Sequence, residues 1–220
     1  MEAYLHARLG EGARLQDYLD YLEGYYTSTL YSKELGKQQN IADAEIESYF
    51  EENAEALSSE YAISKDSGNA VDVRLILIEL EGGTEDEYGN ITYSNEDWNT
   101  CYQEALALYE QWKSGDADED SFAALSEDEN LTTDILPGEL ADAVEDWCFD
   151  ESRQSGDHRM IKTDDGYYLV YYVDGEAAWI RYSRNGIIDI RLAEIVEALA
   201  SENPFTADFT SIALGTVDLS

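Results

Sequence analysis

Basic residues are scarce in this chain. Lysine and arginine total 13 against 49 aspartates and glutamates, a formal charge of −36 over 220 residues. A surface this negative repels phosphate backbones and anionic lipid, which excludes nucleic acid as a partner and argues against adsorption to an acidic membrane. It supplies solubility first, and after that an attraction for cations or for basic, unfolded chains. Cysteine is also sparse. Cys101 and Cys148 stand alone with no CxxC, so there is neither a disulfide framework nor a zinc site. Each falls on the apolar stripe of a predicted helix and is expected as a buried thiol. The two histidines, His6 and His158, are expected as surface or lightly satisfied imidazoles. No run approaches the ~18 apolar residues of a membrane span. Met1 is followed at once by an amphipathic pattern, so no leader is visible. No cofactor or metal is expected.

Hydrophobic residues make up 44% of the chain, enough for a real core. Leu5, Leu9, Leu15, Tyr18, Leu19, Leu22, Tyr26, Leu30 and Tyr31 recur at helical spacing, and Gly10, Gly12 and Gly24 predict breaks or bends in that helix. A second helix starts near Asp43, a plausible N-cap, with the stripe Ile46, Tyr49, Phe50 and Leu57. The turn-rich "SKDSGNA" at 64–70 marks a boundary. "VDVRLILIEL" at 71–80 is the most strand-like stretch, and "EGGTEDEYGN" at 81–90 reads as a polar loop. Ser94 or Asn95 caps a helix whose stripe runs Trp98, Cys101, Tyr102, Ala105, Leu108, Tyr109 and Trp112. A short helix follows around Phe122, then an irregular stretch or weak strand over 127–136. Leu140, Val144, Trp147 and Cys148 give another helix. "HRMIKT" and "YYLVYYV" are strands joined by "DDG", a hairpin signal. A helix from about residue 185 ends at Pro204, and Phe209, Ile212 and Leu214 are anchors on an extended tail. One early strand and a late hairpin separated by helices define an α+β fold with mostly antiparallel strands.

Several constellations are weaker. "DADEDSFAALSE" at 116–127 has carboxylates at calcium-loop positions but Ser121 where glycine is required, so a solvated acidic turn is the better reading. Asn90 and Asn130 begin glycosylation triplets, which matter only in a eukaryotic secretory route. No carboxylate pair stands out for acid–base work, and no Ser or Cys has a sequence partner that marks a nucleophile. The 17 tyrosines are expected mostly in the core, the remainder forming an amphipathic groove for extended peptide.

The order of these elements, with these strings, resembles the parvulin-type peptidyl-prolyl isomerases, and among them the PrsA/SurA-like extracytoplasmic foldases of bacteria. "VRLILIEL" looks like the first strand, "LYEQWKSGDADEDSFAALSED" like the helix, Gly-Asp turn and following helix, "PGELADAVEDWCF" like the pocket segment, and "IKTDDGYYLVYYVD" like the closing hairpin. "EIESYFEENAEAL" and "NPFTADFTSIALG" look like the flanking helical parts. The resemblance implies a four-stranded antiparallel sheet with surrounding helices at 68–175, between an N-terminal helical segment at 1–67 and a C-terminal helix and tail at 176–220 that pack as a helical lobe.

It also implies a site. The family's two central histidines fall on Leu75 and Tyr168. Its pocket methionine and phenylalanine fall on Leu140 and Val144, with Phe149 as the aromatic that ends the segment. Its acidic or thiol position falls near Thr132. Prolyl isomerisation crosses a rotational barrier, about 18–20 kcal/mol for an ordinary amide, and an enzyme lowers it with an apolar pocket and placed polar groups. With both imidazoles replaced, peptide binding is expected to survive better than catalysis. The implied function is a client-binding module for unfolded or proline-containing polypeptides, outside the cytoplasm, with a leader not part of these residues. An active isomerase with substituted groups and a plain surface-interaction domain are the alternatives.

Overall fold

The computed structural model describes residues 2–10, 12–127 and 129–203. Pro204 and the tail anchors Phe209, Ile212 and Leu214 lie outside them. The chain divides into two compact units, one formed by Met1–Tyr49 with Arg184–Ser220, the other by Phe50–Ser183.

The larger unit is built on one antiparallel sheet in the order β4-β1-β6-β5. Its strands are β1 (Asn69–Glu79), β4 (Leu131–Ile135), β5 (His158–Thr163) and β6 (Gly166–Ala177). β1 and β6 are central and pair along eleven residue positions from Asn69↔Ala177 to Glu79↔Gly166. Successive side chains of a strand point to opposite faces. Val71, Val73 and Leu75 of β1 therefore join Val170 and Tyr172 of β6 in one core, while Ile76 and Ile78 join Leu169 and Tyr171 in another. Helix α6 (Asp142–Cys148) covers the first face with Val144, Trp147 and Cys148. Helices α4 (Asn95–Lys113) and α5 (Glu119–Ala123) cover the second with Ala105, Trp112 and Phe122. Two-sided burial explains why both central strands read as nearly unbroken apolar runs.

The hairpin between β5 and β6 turns on Asp164 and Asp165, with Thr163 opposite Gly166. Gly166 has φ +143, and a Cβ there would run into the carbonyl oxygen of Ile78. Helix α4 opens on Ser94, whose hydroxyl accepts from the Asp97 N–H while the Asp97 carboxylate accepts from the Ser94 N–H. The polar stretch after β1 is not all loop. It holds a small hairpin of β2 (Thr84–Glu85) and β3 (Ile91–Thr92). The weak stretch at 127–136 contains a true strand, β4.

Next to the β1 bulge between Asp72 and Val73 sits a buried cation. Arg181 is 8% exposed and pairs with Asp72, with Asp174 at 2.9 Å and with Asp134 at 3.6 Å. Asp134 has φ 58, and its N–H donates to Asp72 Oδ1 at 2.9 Å. Phe50, Leu57 and Ile63 form a further core with Trp179 and Tyr182 against them.

In the other unit, α1 (Glu2–Leu9) ends at Gly10, where φ is +92. Helix α2 (Leu15–Lys37) runs on through Gly24, contrary to the break expected there. One interior glycine costs about 1 kcal/mol relative to alanine, too little to interrupt 23 residues of helix. Helix α3 (Asp43–Tyr61) begins one residue earlier than a cap at Asp43 requires, because the Ala42 carbonyl accepts from Glu45 and Ile46. The Arg191 guanidinium of α7 (Ala178–Glu202) donates to Glu45 at 2.5 Å and to the Asn40 carbonyl at 3.3 Å.

The tyrosines correct one expectation. Of the 17, only Tyr171 and Tyr172 are buried, while Tyr4, Tyr21, Tyr25, Tyr26, Tyr31, Tyr61 and Tyr88 are exposed. Four of those seven lie on α2, where the stripe that looked like a core face is left open.

Candidate functional site

The residues singled out by the resemblance come from four parts of the larger unit: β1, β6, β4, and α6 with the residues that flank it. Register sets the first two. Leu75 stands opposite Val170 and Leu77 opposite Tyr168, so Leu75 and Tyr168 share a face as diagonal neighbours. The lead-in to α6 is held by its own carboxylates. Glu139 accepts from the Leu136 N–H at 2.8 Å, and Glu145 accepts from the Gly138 N–H at 2.6 Å and from the Leu140 N–H at 3.4 Å. Gly138, at φ +98, makes the turn these bonds require.

Leu75, Leu140, Phe149 and Tyr168 are half-buried and pack on the same core as Val144, which is 1% exposed. Five of the six expected residues are thus brought together. Val144 is a sealed member of that core, and the other four lie at its partly exposed edge. Thr132 lies apart in character: it is an exposed position of β4 opposite Val73. Trp147 and Ile161 are also buried in this core, and the Arg153 guanidinium lies 4.8 Å from the centre of the Trp147 ring. Trp147 was visible as part of the α6 stripe. Ile161 was visible only as an apolar position of the strand HRMIKT, and nothing in the sequence pointed to Arg153.

Burial pushes the Tyr168 phenol above its ordinary value, and the carboxylates of Asp165 and Glu79 add to the shift. At neutral pH it is a hydrogen-bond donor, not an anion. Burial also pushes the Cys148 thiol up, to about 12, so it is inert as a nucleophile. Neither histidine belongs to this core. His158 opens β5 and its Nδ1 is 2.7 Å from the Tyr109 hydroxyl, with its ring against the edge of Trp112 on the α4 side. His6 Nε2 is 3.0 Å from the Ala13 carbonyl oxygen. These positions thus present apolar side chains and one phenolic O–H, with no imidazole among them.

The acidic stretch at 116–127 does not wrap as a calcium loop. Asp118 caps α5 by accepting from the Ser121 N–H at 2.9 Å, and the helix occupies the middle of the stretch. Among the described residues no three His, Cys, Asp or Glu side chains are grouped to hold a metal ion. Asn130, the start of one glycosylation triplet, is buried and its Oδ1 accepts from Arg74 at 2.9 Å. No described helix is long and apolar enough to cross a membrane.

No family model and no curated protein matches the chain. Solved structures do. The chain is similar to PrsA from Bacillus subtilis, at 14% identity over 94% of this chain and 71% of that one, with a TM-score of 0.46. It is similar to the peptidylprolyl isomerase PrsA from Bacillus cereus, at 12% identity over 89% and 90% of the two chains, with a TM-score of 0.33. A third likeness is to a chain from the structural work on the two SurA-like chaperones PEB4 and Cj1289 of Campylobacter jejuni, at 13% identity over 94% of this chain and 78% of that one, with a TM-score of 0.25. At these identities and TM-scores the likeness assigns no activity or partner to this chain.

Proposed function

We propose that the Leu75–Leu140–Phe149–Tyr168 surface binds extended or unfolded polypeptide, taking proline or another apolar side chain, with weak or absent prolyl isomerase activity. The observation that carries this reading is the convergence of those four side chains on the core that contains Val144. Apolar contact supplies the affinity, and the Tyr168 O–H fits a backbone carbonyl of the bound segment. Catalysis would need groups that favour the twisted amide over the planar one. The resemblance puts imidazoles where this chain has leucine and tyrosine, and Leu75 can neither donate nor accept.

Fluorescence anisotropy with labelled proline-containing peptides tests the binding, and a protease-coupled isomerisation assay at micromolar protein tests the chemistry. Binding with little acceleration is the expected pair of results. Acceleration like that of an ordinary parvulin would favour a second reading, an active isomerase that works through the neutral Tyr168 phenol. Failure to bind peptide or to suppress aggregation of an unfolded protein would leave a surface-interaction domain. The sequence resemblance also supports an extracytoplasmic location, which fractionation of the producing cell tests.

A further inference from the structure

Among the described residues, exposed large apolar side chains concentrate on α2. Leu19, Tyr21, Tyr25, Tyr26, Leu30 and Tyr31 are 47–67% exposed. At 3.6 residues per turn, all of these but Tyr31 fall with the half-buried Tyr18 on about half of the helix circumference. The rings are organised. Tyr21 stacks on Tyr25 with centroids 6.3 Å apart, and Tyr25 meets Tyr26 edge-on at 5.5 Å.

The margins of this face are acidic. Asp17 lies one turn before Tyr21, and Glu23 lies one turn from both Leu19 and Tyr26. Arg14 is bound to Asp17 through two bonds of 2.8 and 2.6 Å, and no lysine, arginine or histidine follows until Lys33. A depression lined by Ala13, Arg14, Asp17, Tyr18 and Tyr21 opens at the N-terminal end. Tyrosine faces beside carboxylates suit cations, which gain from the ring quadrupole and from the negative charge together. The chain already makes such a contact nearby, with Arg8 5.3 Å from the centre of the Tyr4 ring.

We propose that this face of α2 is a docking surface for a basic polypeptide segment, with lysine or arginine side chains over the tyrosine rings and paired with the carboxylate of Glu23 at its margin. Charge selects this occupant over two others. A second copy is itself a chain of net charge −36, and its α2 would bring the same acidic margins to the contact. The three half-open tyrosines of this face, at 150–250 Å² each, offer only on the order of 300–400 Å², and with Leu19 and Leu30 beside them the face still falls short of the ~800 Å² per partner of a standard interface. Residues 204–220 contain Asp208 and Asp218 and no basic residue, so they do not complement the acidic margins. The proposal does not depend on the sheet-face site.

The test places a photo-crosslinking benzoylphenylalanine at Tyr25 in the full chain and offers it two labelled peptides, identical except that lysines in one are glutamates in the other. Crosslinking to the lysine peptide alone is expected, falling about tenfold or more as salt is raised. A variant carrying Tyr21→Ser, Tyr25→Ser and Tyr26→Ser should lose binding of the same peptide while its unfolding midpoint holds, because these side chains are exposed. Equal capture of both peptides, capture of neither, a crosslink between two copies, or a crosslink to residues 204–220 would each overturn the proposal.

Discussion

Leu75 and Tyr168 lie on one face of adjacent central strands, offset by one diagonal step, and both rest on the core that holds Val144 and Trp147. The diagonal arises because Leu75 pairs with Val170 and Leu77 with Tyr168. A shift of one residue in this pairing would move Tyr168 to the α4 side and dismantle the surface.

Binding and stability should separate at this site. Leu140→Asp places a charge on a half-buried position, and peptide affinity in an anisotropy titration should fall about tenfold or more, the loss of one good apolar contact. Val144→Ala acts on a sealed position and should cost about 2 kcal/mol or more in urea unfolding. If Leu140→Asp binds peptide like the parent chain, the surface is not the binding site.

Arg181 should prove to be an electrostatic keystone of the larger unit. Arg181→Met leaves Asp72 and Asp134 beside each other without their cation, and unfolding in urea should show a loss of about 3–5 kcal/mol. Asp174 is 64% exposed in its side chain, so Asp174→Asn should change stability by only about 0.5 kcal/mol. A double-mutant cycle between Arg181→Met and Asp72→Asn should be strongly non-additive.

Gly166→Ala combines a positive φ with a collision against the Ile78 carbonyl. The loss should exceed about 1 kcal/mol in equilibrium unfolding. Hydrogen exchange should report faster opening of the β5–β6 hairpin. Gly12→Ala is the control, since nothing stands within 4 Å of a Cβ there.

His158 supplies a pH signature. Burial, and after it the charge of Lys113, holds its pKa below the ordinary value, against a smaller upward pull from Asp157. The neutral ring bonds to the Tyr109 hydroxyl. The unfolded chain binds the proton first, so stability rises with pH between the folded value and the unfolded one. The contribution is complete above about pH 6.5 and is lost as pH falls towards the folded value. The difference in unfolding free energy between the parent chain and His158→Gln should shrink as pH falls below about 6.5. A pH-independent difference would show that the ring is not titrating in that environment.

Much of the secondary structure was legible because its causes are local. The α4 stripe, the Ser94 cap and the DDG hairpin each rest on residues within a few positions of one another. The apolar members of the candidate site were legible through the order of motifs. Other parts were not. β4 is five residues long with one buried side chain, Ile135, so its pattern is faint until β1 pairs with it. Arg181 joins carboxylates as far as 109 residues away in sequence, and no periodicity signals that.

By itself the sequence determined the acidic charge, the strongly patterned helices and the long strands, and the absence of an imidazole at positions 75 and 168, since composition and short-range spacing are properties of the unfolded chain too. Tertiary structure alone decided which stripes found a partner. The α4 and α2 patterns look alike along the chain, yet α4 lies on a sheet and α2 keeps its tyrosines in the open. Whether an apolar face is covered depends on what long-range pairing brings against it, and a helix carries no record of that in its own residues.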